Sequence, residues 1–402
     1  MNILVADQIS EAAIQDLRKL GSNVTYDADL SGTELADQMS DVEILIVRST
    51  RVNENIITKS DKLSLIIRAG SGVNTIDLHT ASIHGVHVAN CPGMNTDAVA
   101  ELTIGLLAAA DRQIVNATRD LREGHWRKKH YADARGLKHR TLGLLGFGTI
   151  GRTVAKMARE GLNMKVIAWS RSLNDAVANH FGVERCEDPK EIAKQSDAVS
   201  VHLSATDETH HLVDEEFFDL MKNGAVFINT SRGQIVDSNA LQQAINTKDL
   251  KVGLDVFEDE PTSTDDQFEQ TKLAQKATCT PHIGASTQQA SEAIANAVVD
   301  IVRSYIQTGR PINTINVRRK SSDSISLLVR HYNEVGVLAN VLNILRHEDV
   351  NVEEMENTIF EEGQAATCTM WLDSEPTPDM LNKIREDDHI IQVVLQRSSS
   401  DS

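Results

Sequence analysis

Between Thr141 and Gly151 the chain reads TLGLLGFGTIG, an apolar run that enters Gly146-x-Gly148-x-x-Gly151 and passes straight into a helical pattern. Glycine at the first place allows a tight turn, and at the second it lets backbone approach a pyrophosphate. At the third it lets a helix pack closely on a strand. Exposed amides at the helix start then hold phosphate charge. The string predicts a βαβ unit that binds a dinucleotide.

The surrounding pattern extends that unit into a sheet. Apolar strand candidates recur at MKVIAWS (164–170), AVSVHLS (198–204), AVFINTS (225–231), KVGLDVF (251–257) and ATCTPH (277–282), separated by helix-length stretches. With 141–148 they make six strands and predict a doubly wound parallel sheet over 95–282. Before it, NILVAD (2–7), VEILIVRS (42–49), LSLIIRAG (63–70) and VHVANCPG (86–93) alternate with amphipathic helices, which predicts a second parallel sheet. One long helix is expected from Asn95 to about Arg122, and another from Thr287 to Ile306, stopping near Gly309.

The rhythm changes after the polar string RRKSSDS (318–324). Residues 324–398 read strand, helix, two strands, helix, strand, the βαββαβ order of a ferredoxin-like fold. The expected class is α/β: two doubly wound Rossmann- or flavodoxin-like domains, a linker at 314–323, and a small C-terminal domain. The closing SSSDS (398–402) reads as a disordered tail.

Composition narrows the partners. The net charge of −18 argues against nucleic acid or an anionic membrane as the main partner, while allowing a local basic pocket. Four scattered cysteines make neither a disulfide framework nor a zinc site, so no metal is expected. Asp7 interrupts any signal-peptide core, and the apolar stretch 102–110 is too short to span a bilayer. A cytoplasmic chain is the expectation.

Three ionisable residues follow three successive strands of the second sheet: Arg232 after AVFINTS, Glu260 after KVGLDVF, and His282 after ATCTP. Strand ends of an open α/β sheet converge on its ligand crevice. There a histidine can take the proton of an alcohol as hydride leaves its carbon, with a carboxylate to stabilise the imidazolium and raise its pKa. An arginine can grip a substrate carboxylate through two parallel hydrogen bonds. Asp255, inside the fifth strand, faces the same edge. In the first domain, Arg48-Ser49 and Arg68-Ala69-Gly70-Ser71-Gly72-Val73 end two strands, and consecutive small residues there offer amides that nest a carboxylate. At the tip of 164–170 the chain reads Ser170-Arg171, with no carboxylate for an adenosine ribose; both NAD and NADP stay open.

RAGSGVNTID (68–77), NTDAVAEL (95–102), LLGFGTIGR (144–152), NTSRGQIVD (229–237), GLDVFEDEP (253–261) and PHIGAST (281–287) together resemble the D-isomer-specific 2-hydroxyacid dehydrogenases. That resemblance implies Arg232, Glu260 and His282 as the catalytic set. It implies Thr149, Ile150 and Asp255 at the cofactor, beside Gly146, Gly148, Gly151, Ser170 and Arg171 already read there, and Arg48, Ser49, Ser71, Gly72, Val73 and Asn95 around the substrate. It further implies that 283–313 returns to complete the 1–94 domain.

Within the family the strings lie nearest the members that oxidise 3-phospho-D-glycerate to 3-phosphohydroxypyruvate with NAD. An NADP-dependent hydroxypyruvate or glyoxylate reductase is the alternative, and a non-enzymatic dinucleotide-sensing corepressor the distant one. The C-terminal domain is similar to an ACT module, which implies L-serine as effector at His331, Asn333 and Asn351. The resemblance also implies that GHWRKKH (124–130) lies at a subunit interface, hence a homodimer or homotetramer. Ser204 and Val335 stand where such proteins commonly carry proline.

Overall fold

Runs of Val, Ile and Leu only four residues long build the first sheet: β1 (Asn2–Val5), β3 (Ile44–Val47) and β4 (Leu65–Arg68), joined by β2 (Asn23–Tyr26) and β5 (His87–Asn90). All five are parallel in the order β2-β1-β3-β4-β5, the flavodoxin-like arrangement. The structure, a computed structural model, describes residues 1–30, 32–261, 267–318 and 325–397. β2 escapes the sequence pattern because it is an edge strand, NVTY, that buries almost nothing.

Alternate residues of each strand enter opposite cores, as the period of two requires. Ile3, Val5, Ile44, Ile46, Leu65 and Ile67 pack against Ile294, Val298, Ile301 and Val302 of the helix Gln288–Thr308. Leu4, Leu45, Val47 and Ile66 pack on the other face with Leu35, Met39, Ile56 and Ile57. The chain thus returns to the first sheet after building the second. Residues 314–316, placed in a linker by sequence, are tied to the edge of β5. The Ile315 amide donates to Val88 O at 2.9 Å, and the Val88 amide donates to Asn316 Oδ1 at 2.8 Å.

The second sheet comprises β6 (Thr141–Leu145), β7 (Lys165–Trp169), β8 (Glu184–Arg185), β9 (Ala198–Val201), β10 (Val226–Asn229), β11 (Lys251–Leu254) and β12 (Thr278–Cys279). Its parallel order is β12-β11-β10-β9-β6-β7-β8, so strand order reverses between β6 and β9. A crevice opens there at the strands' carboxyl ends. β8 makes this sheet one strand larger than the pattern predicts; two residues are too few to leave a periodic signal. β11 stops at Leu254, which puts Asp255 just beyond the strand instead of inside it. The expected long helix is two helices, Thr96–Asp111 and Ile114–Arg122, broken where Gln113 adopts φ +51°.

The chain divides into two compact units, Met1–Val317 and Arg318–Ser402. The second holds an antiparallel sheet of β13 (Ile325–Tyr332), β14 (Val352–Ile359), β15 (Ala365–Leu372) and β16 (Ile390–Arg397), ordered β14-β15-β13-β16. Leu327, Val329, Cys368 and Met370 pack beneath Val341 and Leu345 of one helix and Met380 and Ile384 of another. Residues 319–324 of the polar string and the SSSDS tail lie outside the described residues. Among the described residues no helix is long and apolar enough to cross a membrane.

Candidate active site

The glycine turn fits its dinucleotide reading sterically. Gly146 sits at φ +102°, where a side chain is strained, and a Cβ there would stand 2.5 Å from His202 O. A Cβ at Gly151 would meet Gly146 O at 2.4 Å, so the helix Thr149–Leu162 rests directly on the turn. Gly148 caps that helix with open space around it and without a side-chain bond to the first amides. Those amides stay available to an anion. Thr149 and Ile150 occupy the first turn, with Ile150 leaning on the core. Ser170 and Arg171 follow β7. Arg171 is exposed and lies 3.8 Å from the exposed Glu208.

Across the sheet, β10, β11 and β12 bring the predicted triad together. His282 Nδ1 lies 2.6 Å from Glu260 Oε2, and the Phe257 amide donates to Glu260 Oε1 at 3.1 Å. An ionised carboxylate only accepts, so Nδ1 carries the proton and Nε2 keeps its lone pair. Burial pushes the Glu260 carboxyl up. The hydrogen bond and charge of His282, the Phe257 amide and the Arg232 charge outweigh it and hold the group below its ordinary value.

Arg232 is set by the turn after β10. Asn229 Nδ2 donates to Arg232 O at 2.9 Å, and Asn229 Oδ1 accepts the Ser231 amide at 3.0 Å. Gly233 must be glycine, since a Cβ would stand 1.9 Å from Phe257 O. The Arg232 guanidinium reaches the first-domain loop: a Cβ at Gly72 would lie 2.6 Å from Arg232 Nη2. Ser71 Oγ donates to Asn95 Oδ1 at 2.8 Å, so Ser71, Gly72, Asn95 and Arg232 border one space. Val73 takes part through its backbone, its carbonyl accepting the Ile76 amide at 3.0 Å.

Arg48 and Arg68 stand at the ends of β3 and β4. The side chain of Arg68 folds over Gly70, and its buried Nε has no protein partner. Burial first, then the positive charges of Arg232 and Arg48, push its pKa below the usual arginine value. Among the described residues none of these three arginines is ion-paired. Asp7, which sequence reasoning passed over as a site residue, accepts the amides of Arg48, Ser49 and Thr50 at 2.7, 3.0 and 2.9 Å. Its signal was available: a carboxylate just past an apolar strand, at the point where the order of the first sheet reverses.

Asp255 is 1% exposed, and its carboxylate is occupied from within. It accepts Thr280 Oγ1 at 2.6 Å and the amides of Ile283 and Gly284 at 2.8 Å. It therefore braces the turn that holds His282, itself at φ +52°. In the C-terminal unit, His331 is buried, its Nε2 3.3 Å from Asn357 Oδ1, and Asn333 Nδ2 donates to Gly363 O at 2.9 Å. Asn351 does not join them. The sheet register pairs Ile325 with Leu372 and Leu372 with Val352, whereas His331 pairs with Ala366. Asn351 lies at the opposite end of the strands, about 20 Å away at the rise per residue of a strand.

Residues 104–284 match the family profile described as "D-isomer specific 2-hydroxyacid dehydrogenase, NAD binding domain". Over 357 residues the chain is 33% identical to a D-3-phosphoglycerate dehydrogenase of Methanocaldococcus jannaschii, covering 88% of this chain and 67% of that one. It is 37% identical to a hydroxypyruvate reductase of Thermotoga maritima over 74% of this chain and 95% of the relative. A solved glyoxylate reductase from Paecilomyes thermophila superposes with TM-score 0.70 at 27% identity, covering 78% and 98%. Against a phosphoglycerate dehydrogenase of Archaeoglobus fulgidus the chain spans 59% of the relative's length. The profile and the glycine turn agree on NAD as the dinucleotide, with NADP not excluded. With its glycine turn, its His–Glu pair and these relatives, the chain belongs to the D-isomer-specific 2-hydroxyacid dehydrogenases.

Proposed function

We propose that the chain oxidises 3-phospho-D-glycerate to 3-phosphohydroxypyruvate, with NAD bound at the glycine turn accepting the hydride. The observation that carries this reading is the unpaired cluster Arg48, Arg68 and Arg232. A buried guanidinium that repels its neighbours is costly unless an anion arrives. A substrate with a carboxylate at one end and a phosphate at the other supplies the missing charge.

Each residue then has one task. Arg232 grips the carboxylate and polarises the C2 oxygen, while Ser71–Gly72 and Asn95 border its other side. His282 Nε2 takes the proton of the C2 hydroxyl. Glu260 fixes the tautomer and stabilises the imidazolium. Arg48 and Arg68 receive the phosphate.

A second reading rests on the β7 tip. Arg171 is an exposed cation beside Ser170, 3.8 Å from the equally exposed Glu208, and the β7 tip itself carries no carboxylate for a ribose, which suits a 2′-phosphate and an NADPH-dependent hydroxypyruvate or glyoxylate reductase. Relatives of both kinds stand at similar identity.

Regulation by L-serine through an ACT-like C-terminal unit belongs to the first reading. Since Asn351 stands far from His331 and Asn333, a site uniting the three draws Asn351 from a second copy of the chain. Trp126, 81% exposed, with exposed Ile114, Val115 and Leu121, suits the same homodimeric or homotetrameric assembly.

The deciding experiment measures NADH formation from 3-phospho-D-glycerate with and without L-serine, beside reduction of hydroxypyruvate and glyoxylate with NADH and NADPH. A fast phosphoglycerate reaction suppressed by serine supports the full proposal. A rate untouched by serine removes the effector site alone. No rate with 3-phospho-D-glycerate, but turnover with NADPH, selects the second reading.

A further inference from the structure

A second histidine–carboxylate group stands beside the catalytic one and has no part in the reaction above. We propose that His210, His211 and Glu258 form a binding site for a divalent transition metal of the zinc class. The two histidines lie in the loop after β9, and Glu258 lies in the turn after β11 that also carries Glu260. One donor atom from each of the three lies within 4.8 Å of the other two.

The loop backbone assembles this set. Side chains of neighbouring residues in extended chain diverge. Here His211 adopts φ +50°, and the two imidazoles stack with centroids 4.1 Å apart and planes at 29°. The pair is anchored on both sides: the His210 amide donates to Thr206 O at 3.0 Å, and the His211 amide to Gln234 O at 2.9 Å. Glu258 is held as well. Its Oε2 accepts the Ser238 amide at 3.4 Å, leaving Oε1 to meet His211 Nε2 at 2.5 Å.

That last contact sets an imidazole nitrogen against a carboxylate oxygen, and a metal ion placed between them needs no movement of the backbone. Zinc ligands sit about 2.0–2.2 Å from the metal, so tetrahedral neighbours stand about 3.4 Å apart. Small side-chain rotations reach that from the present spacing. Three protein donors leave a fourth position for water or a ligand, and His210 itself borders a cavity lined by Thr206, Asp207 and Gln234. Imidazole and carboxylate together select zinc, nickel or copper over magnesium or calcium. A simple His211–Glu258 ion pair accounts for two of the residues but gives His210 no role.

The test uses the full chain, stripped with a chelator and titrated with Zn2+ against a chromophoric competitor. Co2+ is titrated in parallel for its four-coordinate visible absorption. One equivalent of tight Zn2+ is expected. It should weaken about tenfold or more in both His210→Ala and Glu258→Gln, the scale seen when metal sites lose supporting groups. His210 is exposed, so His210→Ala folds normally, and its metal-free melting curve checks this. His282→Ala should keep the equivalent. Absence of a tight equivalent overturns the proposal, as does one that His210→Ala and Glu258→Gln leave untouched. So does one that disappears only with His282, because the metal would then belong to the catalytic pair.

Discussion

The carboxylate of Asp255 accepts the Gly284 amide at 2.8 Å, and a methyl group added at Gly284 would stand 2.9 Å from that same oxygen. One oxygen thus both orients the turn around His282 and leaves no room beside it. Gly284→Ala should cost about 1–3 kcal/mol of stability through this overpacking. Asp255→Asn keeps the volume but sets an NH2 against one of the two backbone N–H groups, that of Ile283 or of Gly284. It should lower kcat at least tenfold with the fold retained; a variant with wild-type kcat would show that Asp255 does not position His282.

Glu260 and His282 are bonded to each other, and under the proposed mechanism their losses should differ in kind. His282→Ala removes the base and should lower turnover by several orders of magnitude while NAD still binds, as fluorescence titration would report. Glu260→Gln retains the base and should cost less. The carboxyl of Glu260 is held below its ordinary value of 4.5, first against the upward push of burial, by His282 and the Phe257 amide. A lowered carboxyl stabilises the folded state above the ordinary value and loses that contribution as pH falls through the lowered one. The stability gap between wild type and Glu260→Gln should therefore be present at pH 7 and close below about pH 4.5, in denaturant curves taken across that range.

Arg68 sets function against stability. Its guanidinium is buried, repelled by Arg232 and Arg48, and has one nitrogen without a protein partner. Arg68→Met should therefore raise thermal stability by about 1 kcal/mol, as replacing uncompensated buried charge by apolar volume does. The same change should raise KM for 3-phospho-D-glycerate more than tenfold and leave KM for glyoxylate nearly unchanged. Equal effects on both substrates would remove Arg68 from phosphate recognition.

Sequence legibility followed the physics of each element. Strands buried on both faces, such as Ile44–Val47, announce themselves as continuous apolar runs. The largely exposed edge strand Asn23–Tyr26 and the two-residue strand Glu184–Arg185 carry no such run. The break at Gln113 is invisible because glutamine is an ordinary helix residue, and nothing in its type marks a φ of +51°. The convergence of Arg232, Glu260 and His282 was legible from topology, because each follows an apolar strand and parallel strands end together. The separation of Asn351 from His331 was not, since strand register in an antiparallel sheet is a non-local fact. The bracing role of Asp255 was hidden for the same reason: its three donors come from residues 25 or more positions away.

His202 supplies the remaining prediction. It follows β9 directly beneath the glycine turn, where its carbonyl closes the space next to Gly146 and its Nε2 lies 2.9 Å from Ser200 Oγ. Burial pushes its pKa down to about 4. In the unfolded chain a histidine titrates near 6.5, so between about pH 6.5 and 4 the unfolded state binds a proton that the native state refuses. Stability should fall over that window by up to about 3 kcal/mol as pH drops. Above it the residue costs nothing. His202→Gln can still accept from Ser200 Oγ and does not titrate, so it should flatten the dependence between pH 6.5 and 4 while changing stability little at pH 8. Parallel denaturant curves for the two chains would show it, and identical slopes would mean that His202 protonates within the folded state.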